Sequence, residues 1–311
     1  MKNASLKILS YCLVLTSLFF FSSCNEGKKK SNDNDALTSG KLTVYCDEGL
    51  YNLIEPTFRM HDSTFPDIKL TPVKVNAREA MAKLLSANAE VIIIARDYLK
   101  DEDSLIKAFN VKEHPVMICA EDALVFYAQK DFPLDTITEG QLKNVLLNGQ
   151  SLLGYYPAIK SEPKFVINNN SSSEYANLIS LVAKKQTIKK KLLMLSCSDS
   201  VINYMKKNPG TIGIGYLSQI AKDTSLKGIK ISYIDSAGKY VFPHTVHQAN
   251  VLRGNYPYIV PLKIYLLRDM KNKAFWFGMF LSKEGVVQKY FLEAGIVPVY
   301  AQIKLVEGER Y

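Results

Sequence analysis

The residues best suited to chemistry in this 311-residue sequence are few and scattered. Arg96-Asp97 closes the apolar run Val91–Ala95 (VIIIA). An Arg at that point would stand on the edge of a parallel sheet where ligands usually sit, and its planar fork matches an oxyanion. A salt bridge to Asp97, Glu48 or Asp47 explains it equally well, and a carboxylate partner can also orient a guanidinium. Ser171, Ser172 and Ser173 follow Asn170 between an apolar strand and a helix. Three hydroxyls there could donate to an anion without adding charge, or simply cap the helix. Asp47-Glu48-Gly49 ends the first strand, where Asp47 is suited to an N-cap. No CxxC or HExxH occurs, and of the four His only His244 and His247 are close, so no metal or cofactor is expected. No Ser-His-Asp or Cys-His arrangement stands out, which weighs against an enzyme.

The first 40 residues carry the plainest signal. Lys2 and Lys7 precede an apolar stretch, Ile8–Phe21, too short to span a bilayer. Ser22-Ser23-Cys24 reads as a lipobox, with Cys24 the lipidated residue and 1–23 a lipoprotein signal peptide. Residues 24–40 are a polar, lipid-bearing tether with almost nothing to bury. The chain is therefore expected in the cell envelope, lipid-anchored on its periplasmic or extracellular face.

About 270 residues remain, with 47% of the whole chain apolar and 11% aromatic, which indicates a globular protein. The formal charge is +9, and +7 once Lys2 and Lys7 leave with the signal. Nucleic acid is an improbable partner in that compartment, whereas a basic bias suits small anions. Cys46 and Cys119 have apolar neighbours and read as buried thiols. One disulfide among Cys46, Cys119 and Cys197 is open.

These residues need a scaffold, and the hydrophobic pattern supplies one. Strands are expected at Lys41–Cys46, Ile68–Val75 and Val91–Ala95, with helices at Leu50–Met60 and Ala77–Ser86 between them, a parallel α/β unit. A long strand, Val116–Gln129, follows. Beyond it come a Thr138-capped helix ending at Asn148-Gly149, a strand at Lys164–Ile167, a helix from Glu174 to Lys184 and a helix at Val201–Lys207. Strands at Ile212–Tyr216 and Tyr258–Leu267 and a closing pair of helices, Ala274–Leu281 and Val286–Phe291, complete the pattern. The plan is two α/β lobes joined by crossover strands: 41–125 plus 245–311, and 126–244.

Several segments in order resemble the phosphate-binding (PstS-like) family of periplasmic substrate-binding proteins. They are IIIARDYLKDED, ITEGQLKNVLLNG, KNPGTIGIGYLSQI, NYPYIVPLKIYLL and FLSKEGVVQKYFLEAGIVPV. The resemblance implies a type II periplasmic-binding-protein-like fold, a monomer that takes phosphate or a related oxyanion between its lobes for an ABC permease, without covalent chemistry. It places three anion-binding loops at helix starts. The first is Asp47-Glu48-Gly49, acidic where the family has Ser or Thr, so that a carboxylate either accepts a proton from hydrogen phosphate or points away. The second contains Asn76 and Arg78 in place of a Gly-rich loop, and the third is Asn170–Ser173. An Arg that the family often carries before the third loop is missing, Ile167 standing near its place, and Arg96 is the candidate substitute. A sensing or interaction protein with altered or lost anion binding is the alternative on the same scaffold.

Overall fold

The computed structural model describes residues 39–300. The signal segment, Cys24 and most of the tether lie outside the described residues. The first βαβαβ run forms as the pattern predicts, in β1 (Gly40–Asp47), β2 (Ile68–Val75) and β3 (Val91–Ile94) with helices Glu48–Thr64 and Ala77–Leu85. β1 lies between β2 and β3 and runs parallel to both. The uninterrupted apolar run of β3 has a direct cause. Val91 and Ile93 enter one core with Val44 and Leu50, while Ile92 and Ile94 enter a second with Ala80, Met81 and Leu84. A strand covered on both faces has no solvent side on which to place a polar residue.

Val116–Gln129 is the long strand β4. Residues Val116–Ala123 pair antiparallel with β12 (Ile259–Leu266), which also pairs with β3. Residues Leu124–Gln129 pair instead with β8 (Thr211–Tyr216) and β9 (Leu226–Gly228). One strand thus belongs to two half-sheets. The second half continues through β6 (Lys164–Asn168) and β7 (Leu192–Leu195), with β6 parallel to both β7 and β8. The full order is β2-β1-β3-β12-β4-β8-β6-β7 in a ten-stranded sheet that includes β9 and β13 (Val297–Pro298). A small separate sheet joins β5 (Thr136–Thr138), β10 (Lys230–Ile234) and β11 (Tyr240–Val241).

Helix Glu139–Asn148 has the capping expected of it. Thr138 Oγ1 accepts from Gln141 N at 3.1 Å, Gln141 returns to Thr138 N, and Gly149 closes the helix with φ +72°. The structure departs from the sequence pattern at several points, of which three bear on the candidate residues. Lys100–Ala108 forms a helix that the pattern did not mark, with Leu99 N–H donating to Glu102 at 2.8 Å. The helix expected over Glu174–Lys184 starts at Ser173 and widens to a π-type turn at Leu178–Val182, which keeps Leu178 and Val182 buried. Asp47 does occupy an N-cap position, but its side chain makes no cap bond. Cys46 and Cys119 are buried free thiols, and Cys197 is free and partly buried.

Candidate functional site

Parallel strands of both half-sheets end at a common seam. Asp47 ends β1, Asn76 follows β2 and Arg96 follows β3, while Asn168 ends β6 and Tyr216 ends β8. Helices that follow these strands begin near it, with first N–H groups that have no partner within the helix.

Two carboxylates meet two of these helix starts. Glu48, the first residue of its own helix, extends across the seam to the start of helix Ser198–Lys207. Ser198 N–H lies 3.2 Å from each of its oxygens, and Asn168 Nδ2 donates to Oε1. Glu174 lies over Gly49 in the first turn of helix Glu48–Thr64, where a Cβ on Gly49 would meet its carboxyl carbon at 2.8 Å. Gly is required here because the carboxylate fills the side-chain space. Glu174 accepts from Ser198 Oγ at 2.6 Å, Gln219 Nε2 at 3.1 Å and Asn168 Nδ2 at 3.3 Å. Ser198 Oγ also stands 3.3 Å from Glu48, but it has one proton to give.

Asp47 is the third carboxylate, fully buried, with neither oxygen engaged in a hydrogen bond of normal geometry. Burial, then the charge of Glu174, pushes its pKa well above the usual carboxylate range, against the easing effects of nearby Ser173 and Arg96. Burial and Glu174 also raise Glu48, opposed by its bonds from Asn168 and Ser198. The seam is therefore acidic and rich in neutral donors.

Other bonds hold the halves together. Asn177 Nδ2 donates to Ala95 O at 2.7 Å and to Tyr216 Oη at 3.0 Å, and Ala95 N donates to Ser173 Oγ at 3.3 Å. Arg78 N donates to Ser171 O at 3.1 Å and Gln219 Nε2 to Gly49 O at 3.0 Å. Asn52 and Lys74 both reach Asp199. On one side the seam opens into a cavity of about 900 Å³ lined by Glu48, Asn52, Ser198, Lys206 and Lys222, among others.

Of the residues that the sequence singled out, Asp47, Glu48, Gly49, Ser172 and Ser173 are buried at this seam. Ser172 Oγ caps its short helix by accepting from Tyr175 N at 3.1 Å. The side chains of most remaining candidates have other partners. Arg96 is buried, and its guanidinium makes a two-pronged pair with Glu102 at 2.7 Å for each prong, with further bonds to Asp97 O and Ala77 O. That guanidinium supports the start of helix Lys100–Ala108. Arg78 pairs with Asp101, and Asp97, largely exposed, pairs with Lys263. Asn76 caps its helix through Glu79 N, and Asn170 is exposed. Asn168, Glu174, Asn177, Ser198 and Gln219 were missed. Asn168 and Glu174 flank the Asn170–Ser173 loop, so its position as a strand-to-helix junction was an available signal. Among the described residues no cluster of His, Cys, Asp and Glu is arranged to hold a metal ion.

The same architecture occurs in solved structures of low sequence identity. A putative phosphate ABC transporter substrate-binding protein from Clostridium perfringens, with bound phosphate, is 14% identical with a TM-score of 0.69, covering 84% of this chain and 100% of that one. An ABC-type phosphate transport receptor from Vibrio cholerae is 15% identical with a TM-score of 0.61, covering 82% and 99%. PstS from Borrelia burgdorferi is 17% identical with a TM-score of 0.53, covering 84% and 99%. At such identities the likeness establishes the fold, that of type II periplasmic binding proteins. No curated protein matches the chain. A PBP superfamily domain matches residues 32–284, most of the length, and the chain belongs to that superfamily.

Proposed function

We propose that this protein is a lipid-anchored, extracytoplasmic solute-binding protein that captures phosphate or a related small oxyanion for an ABC permease. Its lobes would be 41–125 plus 245–311, and 126–244, hinged at the crossover strands. Cys24 would carry the lipid, with residues 24–40 as the tether and 1–23 removed. One observation carries this reading: Ser198 N–H, Ser198 Oγ–H, Asn168 and Gln219 converge on carboxylate oxygens at helix starts in the seam. Neutral donors and a helix dipole are the means by which a protein holds an oxyanion without a counter-cation. Asp47, buried and unpartnered, suits a ligand that brings a proton to it, as hydrogen phosphate does.

A second reading has its own observation. Three cations near the seam are already paired, Arg96 with Glu102, Arg78 with Asp101 and Lys74 with Asp199. With three carboxylates at the seam and both Arg96 and Arg78 committed to carboxylate partners, the scaffold would serve sensing or interaction in the envelope, its anion binding altered or lost.

Calorimetric titration of the purified chain separates the two. Saturable one-to-one heat with phosphate or sulfate supports capture. No heat with either, from a folded sample, leaves the interaction reading.

A further inference from the structure

Glu48 makes the contacts that an incoming oxyanion would make. Its helix belongs to the first half-sheet, yet the groups that hold its carboxylate, Ser198 N–H and Asn168 Nδ2, belong to the second. The two equal 3.2 Å distances to Ser198 N place the carboxylate squarely on the start of a ten-residue helix. Beside it lies Asp47, buried with both oxygens unpartnered, and Glu174, which takes the hydroxyl of Ser198.

We propose that Glu48 is the resident occupant of the oxyanion position: a tethered carboxylate on the Ser198–Lys207 helix start, which a free oxyanion must displace to bind. The inference rests on the oxyanion-capture reading and adds a determinant of its affinity. Tethering gives Glu48 a high effective concentration at the site, so the position is filled without solute. Opposing this, Glu174 puts a like charge close to it, which makes the occupant exchangeable. The 900 Å³ cavity reaches Glu48 from solvent and gives an anion a path to the exchange. Glu48 thereby excludes weakly held anions and admits only those that make more of the donors than it does.

The test compares wild type, Glu48→Ala, which empties the position, and Glu48→Gln, which keeps it filled but uncharged. Phosphate affinity is read by calorimetry, and melting temperature is followed in formate, acetate and phosphate. Glu48→Ala is expected to bind phosphate roughly tenfold tighter than wild type, the scale of one charge-assisted hydrogen bond. Formate and acetate, small enough for the vacated position, should raise its melting temperature saturably and leave wild type unmoved. Glu48→Gln should gain clearly less than Glu48→Ala. Equal gains in the two variants would reduce the effect to charge removal and overturn the occupancy. No gain in Glu48→Ala while wild type binds phosphate would also overturn it, and would leave capture standing. Gain in Glu48→Ala with no binding by wild type would uphold the occupancy and end the reading of native oxyanion capture. Should no chain bind any anion, both fall. If Glu48→Ala does not fold, Glu48→Ser repeats the comparison.

Discussion

Glu174 rests its carboxyl group on Gly49, so close that a Cβ at residue 49 would meet Oε2 at 2.9 Å and the carboxyl carbon at 2.8 Å. The two residues come from opposite halves of the sheet, and their contact shows how tightly the seam closes. Glu174 is fully buried and held from behind by Ser198, Gln219 and Asn168, so it has little room to retreat.

Gly49→Ala therefore tests the closure. The added methyl group collides with a pinned carboxylate and is expected to cost about 1–3 kcal/mol, the usual range for overpacking. Denaturant unfolding measures it. Combining Gly49→Ala with Glu174→Ala should cost less than the two single losses summed, because the second change removes the obstacle.

Arg96 was the sequence's best candidate for an anion clamp, and the structure gives its guanidinium to Glu102. The side chains are only 2% and 6% exposed. Arg96→Ala should lose about 3–5 kcal/mol by stranding a buried carboxylate. Arg96→Met with Glu102→Leu should recover most of that loss, since a buried pair is replaceable by apolar groups of similar size. A chain with Arg96→Ala that unfolds like wild type but loses phosphate would restore the clamp.

Acidity has a definite sign here. Burial pushes the Asp122 carboxyl up to about 6, against bonds from Ser218 and from Ala123 N–H, the latter at 2.7 Å. In the unfolded chain an Asp titrates near 3.9. A raised carboxylate favours the fold fully below the unfolded pKa, and this contribution is lost as pH rises through the folded pKa. Asp47 and Glu48, also raised, act in the same direction. Asp122→Asn should flatten the fall in melting temperature between about pH 4 and 6 relative to wild type. An unchanged slope would remove Asp122 from the account.

The lipid anchor is tested independently of the fold. Cys24→Ser should move the protein from the detergent phase to the aqueous phase of a Triton X-114 partition, and mass spectrometry of the wild-type N-terminal peptide should show the acyl chains. Retention of Cys24→Ser with the membrane would refute the lipobox.

The scaffold was legible because its signals are local. Val91–Ile94 is apolar throughout since both its faces are covered, and Thr138 and Gly149 bracket a helix by capping chemistry that depends on nearby residues alone. Helix Lys100–Ala108 escaped because it buries only Glu102 and Ile106, too few residues for a periodic signal.

Of the site residues, the sequence marked Asp47–Gly49 and Ser172–Ser173, which are buried at the seam, and it left the partners of several side chains unspecified or different from those observed. The cap reading of Asp47, one of the two the sequence leaves open, does not hold: its side chain makes no cap bond, and it is Glu48 that satisfies a helix start, that of a helix beginning 150 residues later. Ser198 and Gln219 are ordinary polar residues with no motif to distinguish them, and their meaning arises only when β6, β7 and β8 bring three strand ends together. Arg96 looked available because Glu102 stands in a run of charges that could equally have faced solvent.

The central claim is that the Ser198–Asn168 donor set is an oxyanion seat that Glu48 fills by default. Difference density from crystals of the wild-type chain grown in saturating phosphate tests it most directly. The account predicts a tetrahedral anion on Ser198 N–H and Asn168 Nδ2, with Glu48 turned toward the adjoining cavity. Glu48 still seated on Ser198 at saturating phosphate, with no anion in the seam, would contradict it.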